Sequence, residues 1–180
     1  MSKPVLLVID MQSGLFNDEA AQALAKDVSA RINTLSAAVR ARGGQVIFIR
    51  HTEADGLEAG SAGWQIVPEL VQDAADAYVE KTACDAFLGT PLKAMLDAAG
   101  AAPLLLAGCA TDFCVDTTLR AAASLGYPVR VASDAHLTTT DRPYAKVATI
   151  IQHHNFVWER LAVPGNPVHV ATTAALCSDL

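Results

Sequence analysis

Residues 5–10 read Val5-Leu6-Leu7-Val8-Ile9-Asp10. Five apolar residues in unbroken succession fit a strand covered on both faces, as strands are in a parallel sheet flanked by helices. Asp10 ends the run. The segment is therefore too short for a signal peptide, which needs a longer apolar stretch and a small-residue cleavage site.

Working outward, helical patterns alternate with further short apolar runs. Asp18–Arg42 is rich in Ala and Leu and closes at Gly43-Gly44, a helix stop. Gln45–Arg50 (QVIFIR) predicts a second strand, Thr52–Gly63 a loop, and Ala77–Glu80 a short third strand. Pro91–Ala99 predicts a helix with Pro in its first position and Thr90 as N-cap. Ala102–Ala107 predicts a fourth strand, Thr111–Leu125 a helix closed by Gly126, and Pro128–Ala132 a fifth strand. Asp141–Asn155 predicts a helix, and Phe156–Leu161 a sixth strand. This alternation argues for one α/β domain over residues 1–180, a parallel sheet between two helical layers.

Composition narrows the function classes. The 180 residues are 52% hydrophobic and 18% charged, which excludes a disordered chain. Thirteen basic against 19 acidic residues give a net charge of -6, and no Lys/Arg cluster offers a nucleic-acid or anionic-membrane footprint. No stretch approaches the roughly 20 apolar residues of a membrane span. The four cysteines, Cys84, Cys109, Cys114 and Cys177, form no CxxC pair, and read as reduced thiols of a cytoplasmic protein.

In open parallel sheets, ligands bind beyond the carboxyl ends of the strands. Asp10 follows the first apolar run, Lys81 the third, and Gly108-Cys109-Ala110-Thr111-Asp112-Phe113-Cys114 the fourth. Asp10 fits either a structural cap or a functional carboxylate. Lys81 alone reads as a surface charge, and only its place at a strand end raises it. Cys114 begins a predicted helix, where free N–H groups and the helix dipole lower a thiol's pKa. Cys109 fits a buried, inert cysteine better. His153 and His154 point about 100° apart on a helix and make no metal pair. No spacing singles out His51, His136 or His169 as a partner for a cysteine.

Taken together, Val8-Ile9-Asp10-Met11-Gln12, Glu80-Lys81 and Gly108–Val115 resemble the isochorismatase-like cysteine hydrolases, which include nicotinamidases, N-carbamoylsarcosine amidases and streptothricin hydrolases. Weaker echoes are Gly63-Trp64-Gln65, Ala86-Phe87, Thr118-x-Arg120 and Asp134-Ala135. The resemblance implies a three-layer α/β/α fold with a six-stranded parallel sheet of order 3-2-1-4-5-6. It implies a triad of Asp10, Lys81 and Cys114, a cis peptide at Cys109–Ala110, and an oxyanion hole from the Ala110 and Cys114 N–H groups. It implies hydrolysis of a small amide, carbamoyl or lactam C–N bond, a small-molecule substrate, no cofactor, and a homo-oligomer (dimer or tetramer). Phe16, Trp64 and Phe113 are candidates to shape the pocket or to pack the core.

The sequence departs from the nicotinamidase pattern at the metal ligands. Arg50-His51-Thr52-Glu53 lacks the expected set, and Val67 stands where a ligand His precedes the Pro. No metal is expected. Retention of Cys114 favours amide chemistry over the vinyl-ether hydrolysis of isochorismatases proper. In the implied strand order, Lys81 lies two strands from Asp10, about 10 Å of sheet, which its side chain must cross. The rival readings are a noncatalytic oligomeric scaffold of the same fold, a hydrolase of another small ester or ether bond, and a redox protein using Cys109 and Cys114.

Overall fold

The computed structural model describes residues 3–180. One six-stranded sheet, all parallel, has the order β3-β2-β1-β4-β5-β6. Its strands are β1 (Lys3–Ile9), β2 (Gln45–His51), β3 (Ala77–Lys81), β4 (Ala101–Cys109), β5 (Val129–Leu137) and β6 (His169–Ala171). The helices are α1 (Glu19–Ala41), α2 (Leu92–Ala99), α3 (Asp116–Ser124), α4 (Val147–Glu159) and α5 (Thr173–Ser178).

Side chains alternate across a strand, and β1 divides the core accordingly. Leu6 and Val8 join Val46, Phe48, Leu105 and Ala107 under α1, whose Ile32, Leu35 and Val39 cover them. Val5, Leu7 and Ile9 face the other way, with Ile47, Ile49, Leu104 and Leu106, beneath Leu92 and Leu96 of α2, Leu119 of α3 and Trp158 of α4. The unbroken run at residues 5–9 is thus two interleaved apolar faces, each with its own helical cover. Helix α1 is capped by the Asp18 side chain, which accepts from the Ala21 N–H at 2.7 Å.

The backbone at the carboxyl ends is specialised. Gly108 has φ 125°, and a Cβ there would run into the Ile9 carbonyl, so only glycine lets β4 lie this close to β1. Asp10 itself has φ 47°, a left-handed conformation that costs a non-glycine residue about 1–3 kcal/mol. Asp and Asn tolerate it best among residues with a side chain.

Four expectations need correction. The sixth strand is His169–Ala171, paired with Arg130–Ala132, and not Phe156–Leu161. Residues 156–159 continue α4, because Ile150, His154 and Trp158 repeat at four-residue spacing and turn Trp158 into the core while Phe156 stays exposed. Helix α4 starts at Val147 rather than Asp141, whose carboxylate accepts from the Val147 N–H at 2.9 Å. Strand β5 runs on to Leu137, past a register shift opposite Leu106–Gly108. The helix expected from Thr111 opens as a π turn, Thr111–Val115, before regular α3 begins. Helix α5 went unpredicted. Thr90 does accept from the Leu92 N–H at 3.2 Å, one residue ahead of the Pro91 cap position. Among the described residues, no helix is long and apolar enough to cross a membrane.

Candidate active site

Three strand ends deliver the polar groups. Asp10 follows β1, with its N–H donating to the Ile49 carbonyl at 3.0 Å. Lys81 ends β3 in register with His51, the last residue of β2. Cys114 sits in the π turn after β4, a helix irregularity often found at functional sites. The Cys109–Ala110 peptide between them is cis.

The Lys81 side chain crosses beneath the end of β2 to reach Asp10. Its Nζ lies 2.7 Å from Asp10 Oδ2, 3.0 Å from His51 Nδ1 and 3.3 Å from Cys114 Sγ. Both members of the ion pair are shut off from solvent, with side-chain exposures of 0% and 2%. The second carboxylate oxygen, Asp10 Oδ1, is buried without a hydrogen-bond partner.

These groups set one another's protonation. Burial lifts the Asp10 carboxyl above its ordinary value, and the Lys81 ammonium and Cys114 thiol oppose that shift. Burial works against the Lys81 charge, but Asp10 beside it raises Lys81 above the usual lysine value. The Cys114 thiol is pushed up by burial and by the Asp10 carboxylate, with Lys81 pulling the other way. The expectation of a thiol lowered by a helix start is therefore corrected.

The thiol opens onto a cavity of about 380 Å³, lined among others by Asp10, His51, Glu53, Cys84, Phe113 and Arg142. Arg142 is held by a two-pronged pair with Asp112 at 2.7 and 3.1 Å, and its guanidinium lies 5.1 Å from the Phe113 ring. Of the three aromatic candidates, only Phe113 reaches this cavity. Phe16 is 4% exposed and packs in the α1 side of the core. Trp64 is also buried, with its ring under Arg50 at 3.7 Å and its indole N–H donating to Thr52 at 2.9 Å. Neither lines this cavity.

Sequence reading missed two residues here. The side chain of Gln12 is fully buried and grips His51 on both sides, accepting from its N–H at 2.7 Å and donating to its carbonyl at 2.9 Å. His51 turns its ring into the site. The only available signal was its position one residue past QVIFIR, the place where strand ends gather. Cys109 is buried as expected, and burial raises its thiol. All four cysteines are free.

The ligand atoms of Asp10, His51 and Cys114 lie within 4.8 Å of one another, a donor set of the kind that binds metals. Here the Lys81 ammonium contacts all three, so a divalent ion would have to displace it. Val67, at the position of an expected ligand histidine, is a core residue with 4% exposure.

Comparison with known proteins gives the family. Residues 4–169 match the Isochorismatase domain family. A streptothricin hydrolase of Streptomyces noursei is 33% identical over 135 residues, 74% of this chain and 49% of that protein. A ureidoacrylate amidohydrolase of an Enterobacter species is 36% identical over 85 residues, 46% of this chain and 37% of that protein. The chain thus spans about half the length, or less, of these curated relatives. A solved isochorismatase family protein superposes with a TM-score of 0.79 at 32% identity, covering 94% of this chain and 98% of the other. With the matching sheet order and a family match over nearly its whole length, this chain belongs to the isochorismatase family of hydrolases.

Proposed function

We propose that the protein hydrolyses a small amide, carbamoyl or lactam C–N bond through a thioester on Cys114. One observation carries the reading. Lys81 Nζ stands within hydrogen-bond reach of both Asp10 Oδ2 and Cys114 Sγ, and Asp10 and Cys114 line a cavity sized for a small molecule. Relatives bearing the names streptothricin hydrolase and ureidoacrylate amidohydrolase lend it further support.

In this mechanism the Asp10 carboxylate accepts the thiol proton as Cys114 Sγ attacks the carbonyl carbon. A carboxyl lifted by burial is the better base for this purpose. The carbonyl oxygen becomes an oxyanion, held by the N–H groups of Ala110 and Cys114, each worth about 3 kcal/mol in such a role. The C–N bond then breaks. Asp10 returns the proton to the departing nitrogen, and a thioester remains. Water attacks the thioester, giving its proton to Asp10. The acid leaves, and the proton returns to sulfur. Throughout, Lys81 stays an ammonium and balances whichever of Asp10 and Cys114 is anionic.

The test is a panel of small amides, carbamoyl compounds and lactams, assayed for release of acid and amine. A hit should be lost in Cys114→Ala, and quenched reactions of the wild type should carry the acyl mass on the Cys114 peptide. Turnover that survives Cys114→Ala would rule the thioester out.

A further inference from the structure

We propose that His51 is the third acceptor of the Lys81 ammonium, locked as the neutral tautomer with its proton on Nε2, and thereby a positioning residue for the candidate triad. The proposal rests on the triad reading for its functional meaning, but the geometry behind it is separate.

An ammonium has three N–H bonds and no acceptor capacity. Lys81 is fully buried and has three acceptors, Asp10 Oδ2, His51 Nδ1 and Cys114 Sγ, at 2.7, 3.0 and 3.3 Å. Each N–H therefore has one partner. Nδ1 can accept only if it carries no proton, which places the ring proton on Nε2. That side of the ring faces Glu53, with Nε2 3.8 Å from Oε2. Asp10, Lys81, Cys114 and Glu53 are the ionisable groups around the ring. Burial and the Lys81 charge lower the His51 pKa, against the pull of Asp10 and Glu53.

The backbone that carries the ring is fixed. Gln12 clamps the His51 backbone from both sides, and the strand register sets His51 beside Lys81. His51 thus does what a second carboxylate could not. It satisfies the last ammonium proton without adding a negative charge that would oppose the thiolate.

Two measurements test this without any substrate. Long-range proton–nitrogen NMR of the wild-type protein should find His51 as the Nε2–H tautomer, and an Nδ1–H tautomer would overturn the proposal. Alkylation of Cys114 followed against pH is the second. His51→Leu removes the acceptor and should slow alkylation roughly ten- to hundred-fold, the equivalent of one hydrogen bond to a charged group. His51→Asn puts Oδ1 where Nδ1 stood, without a titrating ring, and should recover most of that loss. Leucine reacting as fast as histidine, or asparagine as slowly as leucine, would refute the role. If His51→Leu does not fold, the tautomer still decides. If no amide is ever turned over, the proposed function fails while these readouts still judge His51.

Discussion

Two aspartates in this molecule are equally buried and differently used. Asp76 and Asp10 each have a side chain only 2% exposed, and each faces a cation. Asp76 accepts from Arg40 Nε at 3.1 Å, from Arg40 Nη2 at 2.6 Å and from the Asp73 N–H at 2.7 Å, so both of its oxygens are occupied. Asp10 gives one oxygen to Lys81 and leaves the other buried with no partner, on a backbone in the left-handed region. A buried polar atom without a partner costs about 1–3 kcal/mol. The unpartnered oxygen of Asp10 suits the proton acceptor that the proposed mechanism requires.

The contrast breaks cleanly by substitution. Asp10→Asn keeps shape and tolerates the positive φ, but loses the base. Turnover should fall by several orders of magnitude, and stability should drop by about 3–5 kcal/mol because the buried Lys81 ammonium loses its counter-charge. Asp76→Asn should lose about 1–3 kcal/mol in denaturant melts while turnover stays near wild type. If both variants lose stability alike and neither loses turnover, the difference between the two carboxylates has no functional meaning.

The ion pairs can be separated in the same way. Lys81→Met strips the partner from a buried carboxylate and should cost about 3–5 kcal/mol. Adding Asp10→Asn removes the stranded charge, so the double variant should regain most of that stability in urea melts while remaining inactive. A double variant no more stable than Lys81→Met would mean that the lysine stem, and not its charge, supports the fold.

A third buried titrating group supplies a pH comparison away from the cavity. His136 bonds to Thr111 at 2.9 Å and to Asn155 at 3.0 Å, and burial lowers its pKa to about 4. Between pH 6.5 and 4 the unfolded chain binds this proton and the folded one does not. The His136 contribution is therefore complete above 6.5 and is lost as pH falls toward 4, a loss of roughly 3 kcal/mol. His136→Gln should flatten that part of the stability–pH curve. An unchanged slope would place the acid sensitivity elsewhere.

The smallest expected effect is an order of labelling. Cys84, Cys109 and Cys114 all line the cavity, but Cys109 is only 2% exposed, at the end of β4. Cys114, with a base and an ammonium beside it, should take iodoacetamide before Cys84, and Cys109 only after unfolding. Peptide mapping that finds Cys84 labelled first would show that the neighbours of Cys114 do not activate it.

Much of this was legible in the sequence because strand interiors write themselves as apolar runs. Val5–Ile9, Gln45–Arg50 and the run from Ala102 to Ala107 set the sheet, and the residues just past the first and last of these runs placed Asp10 and Cys114 at one edge. The resemblance to a family supplied the strand order and the triad role of Lys81, which its place at a strand end had only raised. Lateral reach was not legible. Nothing in Glu80-Lys81-Thr82 says that a side chain will pass under a neighbouring strand, nor that His51 will meet it there, because both facts depend on register between β2 and β3. The short edge strand His169–Ala171 was hidden for a related reason. Three residues carry no periodicity, and the stretch from Phe156 to Leu161 imitated a strand while serving the last turn of a helix.

The central claim is that Asp10 and Lys81 act on one thiol. It is tested most directly by turnover of a confirmed substrate in four proteins: wild type, Asp10→Asn, Lys81→Ala and the double variant. Groups that act as a unit are not additive. The account predicts a large loss in each single variant and a double variant little worse than the poorer single one. Losses that multiply in the double variant, or a Lys81→Ala protein as active as wild type, would contradict it.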